Sequence, residues 1–175
     1  DELETYEDLS DKKWRGRLCV RSSNSIYNQS HIASFIAHHG VAKAEQWAAG
    51  VVANFARKPA GGDRDQIRAI TSGECDIALV NTYYLARLAS SDNDKDRAVA
   101  AAVAIVWPNQ GGVGTHVNVS GAGVTSSAKN LDNAVKLIEF LASDEAQEIY
   151  VSSVYEYPIR DGISVAPLVA AWGTF

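Results

Sequence analysis

Methionine is absent from the 175 residues, cysteine occurs only twice and proline four times. Without methionine there is no thioether to bind a soft ion. Two thiols also fall short of a four-ligand zinc site, which needs more cysteines or a local Cys/His cluster. His38 and His39 are neighbours, so on a helix they point about 100° apart and cannot easily share a small ion. No apolar run approaches the roughly 18 residues of a membrane-spanning helix. Basic charge is scarce as well. Sixteen Lys and Arg stand against 21 Asp and Glu, for a net charge of −5. That excludes a general phosphate-backbone binder, which needs a basic face, so no nucleic-acid partner is expected. No initiating Met and no basic-then-apolar leader is present, so the amino terminus is expected to be mature, processed or cut.

What is present is globular. Hydrophobic residues make up 46% and charged residues 21%, a balance that disordered chains lack. The length suits one domain or two small lobes. Chemistry-bearing motifs are few. No Gly-x-Ser-x-Gly elbow accompanies His116 or Ser120, so no catalytic residue is assigned. Gly111-Gly112-Val113-Gly114 lacks the Lys-Ser/Thr of a phosphate loop and reads as a turn. Asp92, Asn93, Asp94 and Asp96 resemble the start of a calcium loop but lack its Gly and distal Glu. His31, His38 and His39 read as surface or helix-packing residues.

Along the chain, residues 1–16 are polar, with Trp14 as the large apolar anchor. Arg17–Ser22 reads as a buried strand, followed by a loop of hydrogen-bonding residues. Ile32, Phe35, Ile36 and His39 fall at helical spacing within 28–39, and Gly40 stops that helix. A second helix is expected over 41–57. A third follows over 64–71, with Asp63 as its cap. Asp76–Val80 is an apolar run of the kind covered on both faces, and Tyr83–Ala89 is helical. Ser91–Asp96 reads as a solvated loop and Thr115–Val119 as a strand. Helices then span 131–142 and 144–151, the first with a stripe of Val135, Leu137, Ile138 and Leu141, before an irregular tail. Alternating strands and helices predict an α/β fold with a largely parallel sheet. Ligands in such sheets sit beyond the carboxyl ends of strands.

Tyrosines occupy both of those ends. Tyr27 follows the first strand, and the adjacent Tyr83 and Tyr84 follow the second. Strands lying side by side would bring three phenols together. A phenol is normally neutral, with a pKa near 10, but a highly charged cation displaces its proton and takes the phenolate. Phenolate is a hard donor suited to ferric iron, whose three charges three phenolates cancel. Packed tyrosines with satisfied hydroxyls, or an aromatic platform for a sugar or organic cation, are the alternatives. Arg87 lies four residues after Tyr83 and three after Tyr84, on the same helical face. Cys19 and Cys75, each in an apolar run, are either one disulfide or two buried thiols.

The stretches Arg21-Ser22-Ser23-Asn24-Ser25-Ile26-Tyr27-Asn28-Gln29-Ser30 and Asn81-Thr82-Tyr83-Tyr84-Leu85-Ala86-Arg87-Leu88 resemble the periplasmic ferric-iron-binding proteins of ABC importers, in their multi-tyrosine branch. Tyr6-Glu7-Asp8-Leu9-Ser10, Pro108-Asn109-Gln110, Glu139-Phe140-Leu141-Ala142-Ser143 and Trp172-Gly173-Thr174-Phe175 extend the resemblance over nearly the whole chain. It implies an α/β fold of mostly parallel sheets flanked by helices, in the type II periplasmic-binding-protein architecture. It also implies that this chain is a fragment lacking the N-terminal part. Residues 1–98 would form the tyrosine-bearing lobe, 99–152 a segment of the other lobe including hinge strands, and 153–175 a return to the first. Tyr27, Tyr83 and Tyr84 would ligate Fe(III), with Arg87 and Arg21 behind them or holding a small anion. Carbonate is such an anion in members with a serine-glycine loop, from which Asn24-Ser25-Ile26-Tyr27 departs. The implied partner is an ABC permease of the inner membrane, the location periplasmic, and the intact protein a monomer that does not span the membrane. A binder of an anion or small organic solute, contacted by Arg21 and Arg87, and a fragment without a ligand are the competing functions.

Overall fold

A computed structural model describes residues 3–175. The chain divides into two compact units, one running to Asn118 and including Phe175, the other Val119–Thr174. This division follows contact density within the chain. The expected boundary after residue 98 concerns lobe membership in longer relatives, a different property.

The first unit is built around two short parallel strands, β1 (Leu18–Cys19) and β2 (Ile77–Ala78), with Leu18 opposite Ile77 and Cys19 opposite Ala78. Leu18 also makes a parallel bridge to Phe55. Both strands are shorter than the apolar runs suggest. Hydrogen bonds from the Asp76 and Ile77 amides to the Arg17 carbonyl and from Leu79 to Cys19 close the ladder, and beyond it the chains part into loops. The expectation that the second strand is covered on both faces is corrected, since Ile77 and Ala78 are only half-buried.

Helices α1 (Ile26–His39) and α2 (Val41–Ala53) pack beside these strands. Gly40 between them has φ +81°, a conformation that β-carbon-bearing residues rarely adopt. Leu9, Trp14, Leu18, Phe35, Ala44, Trp47 and Val51 form the core, where Phe35 and Trp47 stack at 4.3 Å. Leu9 is thus a second anchor in the polar first segment, beside Trp14. Gly50 faces Ser10 so closely that an added β-carbon would sit 2.7 Å from the Ser10 Cβ. The second helix ends at Ala53 rather than residue 57. The reason is Asn54, which is buried and donates to the carbonyls of Leu9 at 2.9 Å and Asp11 at 2.7 Å. Its own carbonyl receives the Arg17 and Leu18 amides, which turns the chain onto the sheet edge.

Helices α3 (Asp63–Thr71) and α4 (Thr82–Ala89) flank β2 in sequence. Leu85, Ala86 and Leu88 are the buried face of α4. The solvated loop expected over Ser91–Asp96 is corrected, because α5 (Asp94–Ala101) begins inside it. Asn93 caps that helix by accepting from the Lys95 amide at 2.9 Å, and Asp96 meets Arg68 of α3 at 2.8 Å. No strand forms over Thr115–Val119. There the polar groups bond elsewhere: the Thr115 hydroxyl to the Pro108 carbonyl at 2.9 Å and the His116 amide to the Tyr6 hydroxyl at 3.2 Å.

The second unit holds α6 (Leu131–Leu141), α7 (Asp144–Val154) and the short α8 (Pro167–Ala170). Ser143 caps α7, and the buried Gln147 donates to the Leu141 carbonyl and accepts from the Ile159 amide. Of the apolar stripe on α6, Ile138 and Leu141 are half-buried, whereas Val135 and Leu137 are exposed. No described helix is long and apolar enough to cross a membrane.

Cys19 and Cys75 form a disulfide with Cα atoms 6.0 Å apart, which settles the alternative left open by the sequence. The bridge joins the end of β1 to the residues just before β2. It closes a loop with a sequence separation of 56, for which chain entropy gives about 4 kcal/mol. Reduction, or the Cys19→Ser, Cys75→Ser variant, is expected to lower unfolding free energy by about 2–4 kcal/mol. Urea titrations with and without reductant measure this.

Candidate metal centre

The parallel pairing of β1 and β2 sets their carboxyl ends side by side, and each end feeds a helix whose first turn carries tyrosine. After β1, residues 20–25 form a loop fastened to α1 by side chains. Asn28 donates to the Arg21 carbonyl at 2.8 Å, and Gln29 donates to that of Ser23 at 3.1 Å. Tyr27 is the second residue of α1. After β2, Asn81 is the N-cap residue of α4, and Tyr83 and Tyr84 follow in its first turn. The amino ends of helices carry positive potential, which favours negative charge on these side chains.

The three phenols meet. The Tyr83 hydroxyl donates to that of Tyr27 at 3.0 Å, and the Tyr27 and Tyr84 hydroxyls lie 3.5 Å apart. The Tyr83 and Tyr84 rings are 4.4 Å apart and tilted. All three phenols of the cluster, Tyr27, Tyr83 and Tyr84, are half-buried. Arg87 lies over both rings, 5.5 Å from that of Tyr83 and 5.9 Å from that of Tyr84. Arg21 lies 5.2 Å from the Tyr27 ring.

Acidities within the cluster diverge. Hydrogen bonding from Tyr83, then Tyr84, lowers the Tyr27 pKa, because both hydroxyls stabilise its phenolate. Burial raises Tyr83 and Tyr84, and their bonds to Tyr27 raise them further. Arg87 beside the rings does not prevent this. Tyr27 therefore gives up its proton more readily than Tyr83 or Tyr84.

The sequence reading missed a further participant. Asp63 is 2% exposed. Its Oδ2 accepts from Arg21 Nη1 at 2.6 Å and its Oδ1 accepts from the Asn81 amide at 3.1 Å. It was expected to cap α3, but Gly62 occupies that position and Asp65 reaches back to the Gly62 amide at 2.8 Å. Asp63 is thereby released for long-range bonds. Burial works against the charge on Arg21, but the Asp63 bond and charge outweigh it and hold the guanidinium more firmly protonated. Asn118 also joins the site's edge, donating to the Asn81 side chain at 2.8 Å. No sequence spacing signals these contacts, since Asp63 pairs across 42 and 18 residues.

The four histidines of the chain gather elsewhere in the first unit. His31, His38, His39 and His116, with Tyr6 and Glu7, line a cleft of about 160 Å³. His39 pairs with Glu7 at 2.8 Å and His116 with the Ser30 hydroxyl at 3.0 Å. His31 sits against the Tyr6 ring at 4.2 Å, and its buried Nε2 has no hydrogen-bond partner. Among the described residues no three His, Cys, Asp or Glu side chains are gathered as metal ligands. The histidine rings pack against Tyr6, Phe35, Trp47 and one another.

These features are those of a solute-binding protein, and the family comparison agrees. Residues 4–171 match the bacterial extracellular solute-binding proteins, and the chain belongs to that family. It is 49% identical over 175 residues to iron uptake protein A1 of Synechocystis sp., covering 100% of this chain and 49% of that one. The Trichodesmium protein IdiA (FutA), solved in complex with iron and citrate, superposes with a TM-score of 0.93 at 50% identity over 98% of this chain and 54% of its own. The ferric binding protein of Campylobacter jejuni gives a TM-score of 0.95 at 43% identity, covering 98% of this chain and 54% of that one. The fold is therefore the type II periplasmic-binding-protein α/β fold. This chain spans about half the length of the relatives it matches.

Burial of His31 generates a pH dependence. Desolvation first, and His116 second, push its pKa down to about 4. The unfolded chain takes up this proton below about 6.5 and the folded chain only below about 4, so unfolding binds protons between these limits. Stability is complete above that window and declines as pH falls through it, by up to about 1.4 kcal/mol per unit. His31→Gln is expected to flatten this decline, as measured by urea unfolding of both proteins across the window.

Proposed function

We propose that the chain is the tyrosine-bearing part of an extracytoplasmic protein that captures ferric iron through phenolates and passes it to an ABC permease of the inner membrane. The observation that carries this reading is the meeting of the Tyr27, Tyr83 and Tyr84 hydroxyls, at 3.0 and 3.5 Å, beyond the ends of paired parallel strands. The relatives named for iron uptake and ferric binding support it. On this reading residues 1–98 and 153–175 belong to the tyrosine-bearing lobe and residues 99–152 to the other, and the location is periplasmic. A bound carbonate or other small anion would complete the iron's shell, drawn by Arg87.

The chemistry follows from the donor set. Three phenolates cancel the charge of Fe(III) and offer hard oxygen, which the ion prefers over thiol or imidazole. Tyr27 offers the first negative oxygen, its hydroxyl being the most acidic of the three. Iron held there lowers the pKa of Tyr83 and Tyr84 and takes their oxygens as their protons leave. Each phenol that starts protonated contributes one released proton, so affinity rises with pH. Closure of a second lobe over the ion would exclude water and strengthen every charge contact.

One feature disfavours the anion or organic-solute reading. Arg21 is already held by Asp63 at 2.6 Å, so it does not stand clear as the main contact for a solute.

Ferric phenolate absorbs visible light, so the iron-loaded protein is expected to be red to orange and to bleach with a chelator. Tyr83→Phe and Tyr84→Phe keep the ring and delete one ligand oxygen. Each is expected to weaken Fe(III) binding by more than about 100-fold, beyond the 10–100-fold typical of outer-shell partners. Tyr27→Phe is expected to weaken it as well. Chelator competition across pH measures all three. Unchanged affinity in both Tyr83→Phe and Tyr84→Phe would overturn the assignment, and sulfate or amine binding by a colourless protein would favour the alternative.

A further inference from the structure

We propose that Asp63 is the positioning residue of the phenol cluster, a side chain behind the phenols that holds the loop of Tyr27 and the loop of Tyr83 and Tyr84 at a common distance. The inference rests on the ferric reading and extends it to a residue that touches no phenol. Asp63 sits at the amino end of α3, outside both tyrosine loops. One carboxylate oxygen takes Arg21 Nη1 at 2.6 Å, on the loop that leads into α1. The other takes the amide of Asn81 at 3.1 Å, at the start of α4. Each contact is one step from a phenol. Arg21 lies over the Tyr27 ring and receives Asn28 on its carbonyl, and Asn81 is two residues before Tyr83. Side chains bridging both loops elsewhere in the cluster are the phenols themselves.

Charge argues that geometry is the purpose. The charge of this buried carboxylate works against ionisation of Tyr27 and Tyr84. If electrostatics alone governed the site, a neutral residue would serve better here. The carboxylate nevertheless occupies a position where both its oxygens are used and it is 2% exposed. Arg21 offsets the repulsion, so the Asp63–Arg21 pair adds a firm link at nearly no net charge. In ion sites, residues one step behind the ligands orient them, and their loss typically costs 10–100-fold in affinity.

The two accounts predict opposite signs. Asp63→Asn keeps the shape and an acceptor for the Asn81 amide but breaks the ion pair. If Asp63 positions the phenols, this variant binds Fe(III) about tenfold or more weakly than wild type in chelator competition and shifts the visible charge-transfer band. The Arg21→Gln, Asp63→Asn double variant replaces the ion pair by a neutral hydrogen bond and is expected to recover most of the affinity and the original band. Affinity equal to or tighter than wild type in Asp63→Asn, with an unchanged band, would overturn the proposal. Should that variant not fold, Arg21→Gln cuts one arm of the bridge and carries the same expectation. A wild-type protein that takes up no iron sinks the ferric reading alone. Asp63 is then judged by metal-free crystal structures of wild type and variant, where loss of the Tyr27–Tyr83 hydroxyl contact supports positioning and its persistence refutes it.

Discussion

A two-residue parallel ladder governs the rest of this structure. Leu18 and Cys19 lie beside Ile77 and Ala78, and everything of chemical interest follows from the ends of those strands being neighbours. A shift in this register would move Tyr27 relative to Tyr83 and Tyr84. The ladder is too short to hold register by itself. It is reinforced on one side by the Phe55 bridge to Leu18 and, from the end of β1 to the residues just before β2, by the Cys19–Cys75 disulfide. The buried Asp63 fastens the loops beyond. Covalent, ladder and ionic restraints thus converge on the geometry of three hydroxyls.

Charge within the cluster is distributed unevenly. Three free phenolates together would be a costly concentration of like charge. Tyr83 and Tyr84 are pushed up by burial, while Tyr27 is made more acidic by the hydroxyls beside it. Arg21 is paired with Asp63, and Arg87 lies over two aromatic rings. On the proposed ferric reading, binding and proton release are one event, and acidification reverses it.

The second unit has a different character. α6 leaves Leu131, Val135, Leu137 and Phe140 exposed, although its apolar residues are spaced for burial. The first unit, by contrast, buries Leu9, Trp14, Leu18 and Phe35 in a continuous core. The contrast accords with a chain that spans about half the length of its relatives. The second unit exposes on α6 a face of the kind that stable folds cover.

The amino-acid sequence by itself determined the elements and the chemistry on offer. Helical spacing marked α1, α3, α4, α6 and α7 to within a few residues. Gly40 marked a stop, and the doubled tyrosine after an apolar run marked the candidate site. Those signals are local, written in periodicity of about 3.6 or 2 residues. Where side chains reach across the fold, local reading failed. Asn54 cut α2 short by bonding to Leu9 and Asp11, and Asn93 began α5 inside an apparent loop. Asp63 looked like a cap and became a bridge. Only the tertiary structure decided that three phenols meet, that Cys19 and Cys75 pair, and that a buried carboxylate ties two loops together. The physical reason is that such contacts join residues separated by 18 to 57 positions. Their energy depends on where strands and helices come to rest in space, which no local spacing encodes.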